Sequence, residues 1–239
     1  MRARKNVSKI VSLILSLLCF GMISIAQKPA GNSNKDGKIL PFSAFKNTDI
    51  GALTKPGKAT IQKDELEIVA GGADIWGTHD ECYFSYQTLK GNFDVSVQVL
   101  SLSAAHAYTK AGIMARVDLD DNCQHIYYQV FPDNRARNKN NGGCEFQYRE
   151  EKAGLMKAIY PDLATAGHQF DVTYPNTWIR LKRTGDLFEG YFSSDGMEWK
   201  LYATYTLKLP AELMVGLAVT AHDKNAFTTA RFGQMRLRK

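Results

Sequence analysis

Five side chains in this sequence have the chemistry to hold a polar ligand: Trp76, Lys110, Arg116, Arg149 and His222. Trp76 follows Gly71-Gly72-Ala73-Asp74-Ile75, and its indole offers a broad apolar face plus one N–H donor, which suits the amphipathic face of a pyranose. The same ring could instead close one end of a β-sandwich. Lys110 and Arg116 share strand parity with Gly112 and Met114, so the charges point where a methionine points. Arg116, Arg149 and His222 could converge on one sheet as donors to hydroxyls or a carboxylate, the arginines through their rigid forks. They could equally be paired scaffold residues. His222 is expected to share its face with Ala218 and Thr220, small neighbours that leave room for a ligand, and the polar stretch 132–143 would form the rim.

Catalytic machinery is not assigned. Two carboxylates on one strand face could act as acid and nucleophile, and Glu65-Leu66-Glu67 has that parity, but only Ile68, Val69 and Ala70 follow. The sequence contains no Gly-x-Ser-x-Gly, His-Glu-x-x-His or phosphate-binding glycine loop. Asp118-Leu119-Asp120-Asp121-Asn122 gathers hard oxygens but lacks the glycine and distal glutamate of a calcium loop, and reads as an acidic turn. Asp49 and Asp223 are a weaker calcium pair. No cofactor or metal is expected, calcium being the one candidate left open.

The elements that must position these residues are strands. From Trp178 to Lys200 two alternating runs meet at Gly185-Asp186, and a third begins after Asp195-Gly196, which predicts a three-strand meander. Phe93, Val95, Val97 and Val99 alternate with Asp94, Ser96 and Gln98, a strand with one wet face. Further strands are expected at 58–61, 65–70, 82–88, 110–117, 124–131, 145–149, 200–207, 213–221 and 228–237, with no helical periodicity between them. The expected core includes Val95, Val97, Ile179, Leu181, Val215, Leu217 and Val219. Trp178 and Trp199 read as core or cross-strand residues because they flank the meander. Many short strands with turn signals call for an antiparallel sandwich closed as a jelly roll.

Residues 1–26 combine a basic start (Arg2, Arg4, Lys5, Lys9) with an apolar run ending at small residues, the pattern of a secretory signal peptide. That run is interrupted by Ser12, Ser16 and Gly21, which argues against a retained span of about 20 apolar residues. Residues 27–38 read as a tether and 39–239 as the folded domain, placed outside the cell or in the periplasm. Of 30 Lys+Arg, four lie in the leader and no acid does, so against 24 Asp+Glu the remainder is nearly neutral and no nucleic-acid partner is expected. Cys82, Cys123 and Cys144 would remain after cleavage. If 124–131 pairs with 145–151, Cys123 and Cys144 sit at opposite ends of the hairpin, too far for a disulfide whose Cα atoms lie about 5.5 Å apart. Free, partly buried thiols are expected.

One series of motifs carries a family resemblance: Asp49-Ile50-Gly51; Gly72-Ala73-Asp74-Ile75-Trp76-Gly77-Thr78 with Asp80; Lys110 through Arg116; Ser194-Asp195-Gly196 ending at Trp199; and Gly216 through His222. In that order the series resembles the regulation-of-enolase-type domain of unknown function, within the concanavalin A-like lectin/glucanase superfamily. It is more distantly similar to the C-terminal sandwich of family 43 glycosidases. The resemblance implies an all-β, concanavalin A-like jelly-roll β-sandwich of two antiparallel sheets, one of them often a glycan surface. The expected function is thus an exported carbohydrate-binding or glycan-associated module. A glucanase-type hydrolase and a structural or protein-interaction domain are the alternatives.

Overall fold

A computed structural model describes residues 37–135, 137, 142–161 and 166–238. The expected leader, and the tether as far as residue 36, lie outside the described residues. Lys38, at the end of that expected tether, already pairs with Leu237 in a strand.

The described strands are β1 (Lys38–Leu40), β2 (Lys46–Ile50), β3 (Lys58–Gln62), β4 (Glu65–Ala70), β5 (Ile75–Trp76), β6 (His79–Asp80), β7 (Cys82–Lys90), β8 (Phe93–Leu102) and β9 (Lys110–Arg116). They continue with β10 (His125–Val130), β11 (Cys144–Arg149), β12 (Lys157–Ile159), β13 (Thr177–Thr184), β14 (Leu187–Ser193), β15 (Lys200–Thr206), β16 (Glu212–Thr220), β17 (Thr228–Phe232) and β18 (Met235–Leu237). A seven-stranded sheet runs β12-β11-β10-β9-β16-β7-β2. A nine-stranded sheet runs β15-β14-β13-β8-β17-β4-β3, with β18 on β8 and β1 on β18. The pairings are antiparallel, and the two sheets form the jelly-roll sandwich that the alternation predicted.

Period-two alternation decides the layers. In the nine-stranded sheet Val95, Val97, Ile179, Leu181 and Phe188 turn inward with no exposure, against Ile113, Ile126, Phe146, Val215, Leu217 and Val219 of the other sheet. The seven core residues expected from the pattern all belong to this cluster. The meander closes as read, with Gly185 (φ +62°) and Gly196 (φ +74°) in the left-handed region that such turns require. The expected last strand is two, because Gly233 and Gln234 separate β17 from β18, each of which pairs with β8. Of the two roles expected for Trp178 and Trp199, the core one does not hold, both residues being half-buried, while Trp178 takes a cross-strand position opposite Gln98 and Ser193 on the outward parity of β13.

Strands β1, β2, β5, β6 and β12 carried no alternation long enough to read. Cys82, Cys123 and Cys144 are free and buried, and burial pushes the Cys82 and Cys144 thiols well above the ordinary range. Among the described residues no helix is long and apolar enough to cross a membrane.

Candidate ligand-binding site

The face of the seven-stranded sheet turned away from the core is unusually polar for a buried surface. Its parity collects Lys110, Met114 and Arg116 from β9, His125, Tyr127 and Gln129 from β10, and Glu145, Gln147 and Arg149 from β11. Burial is possible because the short hairpin β5–β6 folds over this face. Ile75 is fully buried there in a second small apolar cluster with Ile50, Phe84, Tyr86, Met114, Tyr127 and Ala218. The chain turns back at Gly72 (φ +102°), where a Cβ would sit 2.2 Å from the Glu81 carbonyl oxygen, so only glycine fits.

The underside of the hairpin is held by charge. Asp80, with no exposure, accepts from Arg149 Nη1 at 2.9 Å and Nη2 at 2.8 Å. Arg116 Nη2 approaches it at 3.7 Å and His125 Nδ1 at 3.6 Å. Arg116 also donates to the carbonyls of Asp118 and Asp120, at 2.7 and 2.6 Å, fixing the acidic turn. Burial pushes His125 down to about 4, a shift that Arg116 and Arg149 reinforce and Asp80 opposes. Arg116 and Arg149, both without exposure, are therefore enclosed scaffold under the hairpin and not part of an open patch with Trp76. Asp80, absent from the expected site, is the reason: a buried carboxylate must be paired, and two arginines supply the pairing.

Beside β5 lies a pocket of about 220 Å³ lined by Asp74, Trp76, Tyr108, Lys110, Glu145, Gln147 and His222. The structure thus brings together Trp76, Lys110 and His222 of the five expected residues. Trp76 is 42% exposed. Lys110 Nζ donates to Asp74 Oδ1 at 2.6 Å and to the Ile75 carbonyl at 3.0 Å, and lies 5.5 Å from the Trp76 ring centroid. His222 does not follow the strand parity expected for it. It comes after β16 with φ +58°, a conformation costly for a non-glycine residue, and so brings Nδ1 to 3.1 Å from Asp74 Oδ2. Its ring stacks on His106 (4.5 Å) and leans on Tyr108 (5.3 Å). Burial works against the Asp74 carboxylate, but Lys110 and then His222 outweigh it and hold it below the usual carboxylate range.

The floor carries unused hydrogen-bonding capacity. Gln147 donates to Glu145, leaving its own Oε1 without a protein partner. Gln129, opposite Glu145 on the neighbouring strand, is also fully buried with both amide atoms unpartnered, but it does not line the pocket. Buried polar groups are nearly always satisfied, and of these atoms it is Gln147 Oε1 that belongs to a pocket-lining residue. Asp74, Tyr108, Glu145 and Gln147 were missed from sequence. Asp74 was inside a quoted motif, and Glu145-x-Gln147-x-Arg149 shows a period-two alternation that shares one face with Arg149.

The other candidates are occupied locally. Asp118 Oδ1 caps the Asp120 amide at 2.9 Å, Asp120 pairs with Lys152, and Asp49 Oδ1 accepts from Gly57 N at 2.9 Å. Among the described residues no three His, Cys, Asp or Glu side chains gather as a metal would need. Glu65 is tied to Arg231 across the strand pair β4–β17. Of the expected rim, residues 136 and 138–141 lie outside the described residues; Arg137 packs over Phe131 at 4.4 Å and donates to the Ala107 carbonyl at 2.5 Å, beside Tyr108.

A family model described as "Protein of unknown function (DUF1349)" matches residues 53–239, more than half the chain. No curated protein matches the sequence. Among solved structures, a functionally unknown protein from Saccharomyces cerevisiae superposes with TM-score 0.64 at 15% identity, covering 83% of this chain and 97% of that one. The GH43 protein BlXynB from Bacillus licheniformis superposes with TM-score 0.54 at 11% identity over 73% of this chain, which spans only 32% of that chain. The carbohydrate binding module CBM66 from Bacillus subtilis gives TM-score 0.51 at 14% identity, over 81% and 95% of the two chains. At these identities the likeness establishes the sandwich fold alone.

Proposed function

The chain belongs to the DUF1349 family, and for this member we propose the function of an exported carbohydrate-binding module whose ligand seats beside Trp76. The observation that carries the reading is an exposed indole lining a pocket that also holds the carboxylates of Asp74 and Glu145 and the unpartnered Gln147 amide oxygen. A sugar ring presents one apolar face and a rim of hydroxyls. The indole covers the first, while Asp74, Glu145 and Gln147 accept from or donate to the second. Lys110 neutralises Asp74, so the pocket presents fixed acceptors with part of their charge already balanced. The neighbouring carbohydrate-binding module of the same fold supports the reading by analogy. Export rests on the basic and apolar pattern of residues 1–26.

A second reading, glycoside hydrolysis, is favoured by one observation: Asp74 and Glu145 are carboxylates lining the same pocket. Asp74, held below the usual carboxylate range by Lys110, has the character of a base or nucleophile. A glycan array on the chain from residue 27 onward, followed by an assay for reducing-sugar release on each bound glycan, separates the two. Binding without release is expected. Release would establish the hydrolase, and an array with no bound glycan would overturn both.

A further inference from the structure

The motif Ser194-Asp195-Gly196-Met197-Glu198-Trp199 plays no part in the pocket just described, and it stands on the opposite side of the molecule, on the outward face of the nine-stranded sheet. Locally it is a turn: Asp195 Oδ1 accepts from the Met197 and Glu198 amides at 2.8 and 2.9 Å and from Ser193 Oγ at 2.9 Å. The turn lays Gly196 on the Trp178 ring, where a Cβ would come within 2.9 Å, and leaves Met197 77% exposed. A cavity of about 190 Å³ opens beside it, lined by Ser96, Trp178, Asp195, Met197, Arg236 and Arg238.

Charge on this face is sorted. Arg180 is bound by Asp94, and Lys182 by Glu189 at 2.9 Å. The one carboxylate lining the cavity, Asp195, turns Oδ1 into its own turn and keeps its charge, so the two arginines of the cavity outnumber it. Arg238 has no carboxylate partner among the described residues, and its guanidinium lies 5.5 Å from the Trp199 ring centroid. Trp199 is also flanked by Arg180 at 5.6 Å, a stack that holds the cationic wall in place. Arg236 stands beside it, opposite Ser96, and donates to Gln234 Oε1 at 3.4 Å.

We propose that this cavity is a second binding site, for an acidic polysaccharide whose carboxylate or sulfate meets Arg236 and Arg238 while its ring lies against Trp178 and Met197. The size fits one sugar ring, and a planar arginine fork suits an oxyanion. A bilayer or a nucleic acid would instead require a broad field of cations, and on this face Arg180 and Lys182 are paired with carboxylates. The site does not depend on the Trp76 pocket.

The test is affinity electrophoresis and titration with polygalacturonate and dextran sulfate, neutral dextran, single-stranded DNA and phosphatidylserine vesicles. Binding to at least one acidic polysaccharide, absent for neutral dextran and weakened by salt, is expected. Arg238→Ala should weaken it at least tenfold, and Met197→Glu should do the same from an exposed position with no role in folding, while Trp76→Ala leaves it unchanged. Failure to bind any acidic polysaccharide, unchanged affinity in a folded Arg238→Ala or in Met197→Glu, loss on Trp76→Ala, or equal binding of DNA or vesicles would overturn the proposal.

Discussion

Asp80 and Arg149 meet fork to fork at 2.8 and 2.9 Å, and neither side chain is exposed to water. They are 69 residues apart in the chain, and their union fastens the hairpin that carries Trp76 onto the sheet that carries Lys110. Pocket geometry on one side of the hairpin therefore depends on an ion pair beneath its other strand.

Replacing Asp80 by Asn keeps the shape and removes the charge, leaving Arg116 and Arg149 buried without compensation. Breaking a buried pair in this way costs about 3–5 kcal/mol. Urea unfolding of Asp80→Asn should show a loss of that size. A loss below about 1 kcal/mol would mean that Ile75 and the backbone bonds alone secure the hairpin.

His125 makes stability sensitive to mild acid. Its imidazole titrates near 6.5 when unfolded and is pushed down to about 4 when folded, so between those values the unfolded chain binds the extra proton. Stability from this group is complete above about pH 6.5 and is lost as pH falls towards 4, by roughly 3 kcal/mol in all. The Tm should fall across that window, and His125→Gln should flatten the fall. An unchanged slope in that variant would assign acid sensitivity to the carboxylates instead.

Trp76→Ala and Arg116→Ala should separate binding from scaffold. Trp76 is 42% exposed, and its truncation should leave Tm nearly unchanged while weakening glycan binding by more than about 1 kcal/mol. Arg116 has no exposure and donates to two turn carbonyls while approaching Asp80, so its loss should cost about 3 kcal/mol or more of stability. Calorimetry and titration on both variants check the contrast, and a stable Arg116→Ala with selectively lost affinity would reverse the assignment.

Gly190, on the inward parity of β14, lets the two sheets approach: a Cβ there would come 2.8 Å from the Phe146 ring. Gly190→Val should overpack this contact and destabilise by about 1–3 kcal/mol, measured by denaturant midpoint. A neutral result would show that the ring has room to move.

The sequence by itself determined the sandwich. Alternation such as Val95-Ser96-Val97 or Ile179-Arg180-Leu181 is a local property, because a strand buries one parity whatever its partner, and glycines such as Gly185 and Gly196 fix the turns within a few residues. Parity also placed Lys110, Met114 and Arg116 on one face of β9, the face that Arg149 of β11 shares. It could not say what covers that face. The hairpin β5–β6 is two residues per strand, too short to show a period, yet by folding back over β9–β11 it delivers Asp80 to the arginines and divides the expected patch into an enclosed network and an open pocket. Nor could parity place His222, which lies beyond the end of β16, where a left-handed backbone at that one residue sends its ring to Asp74. Faces follow from spacing along the chain. Which charges are paired, and which remain for a ligand, follows from contacts between residues far apart in it, and those the tertiary structure alone decides.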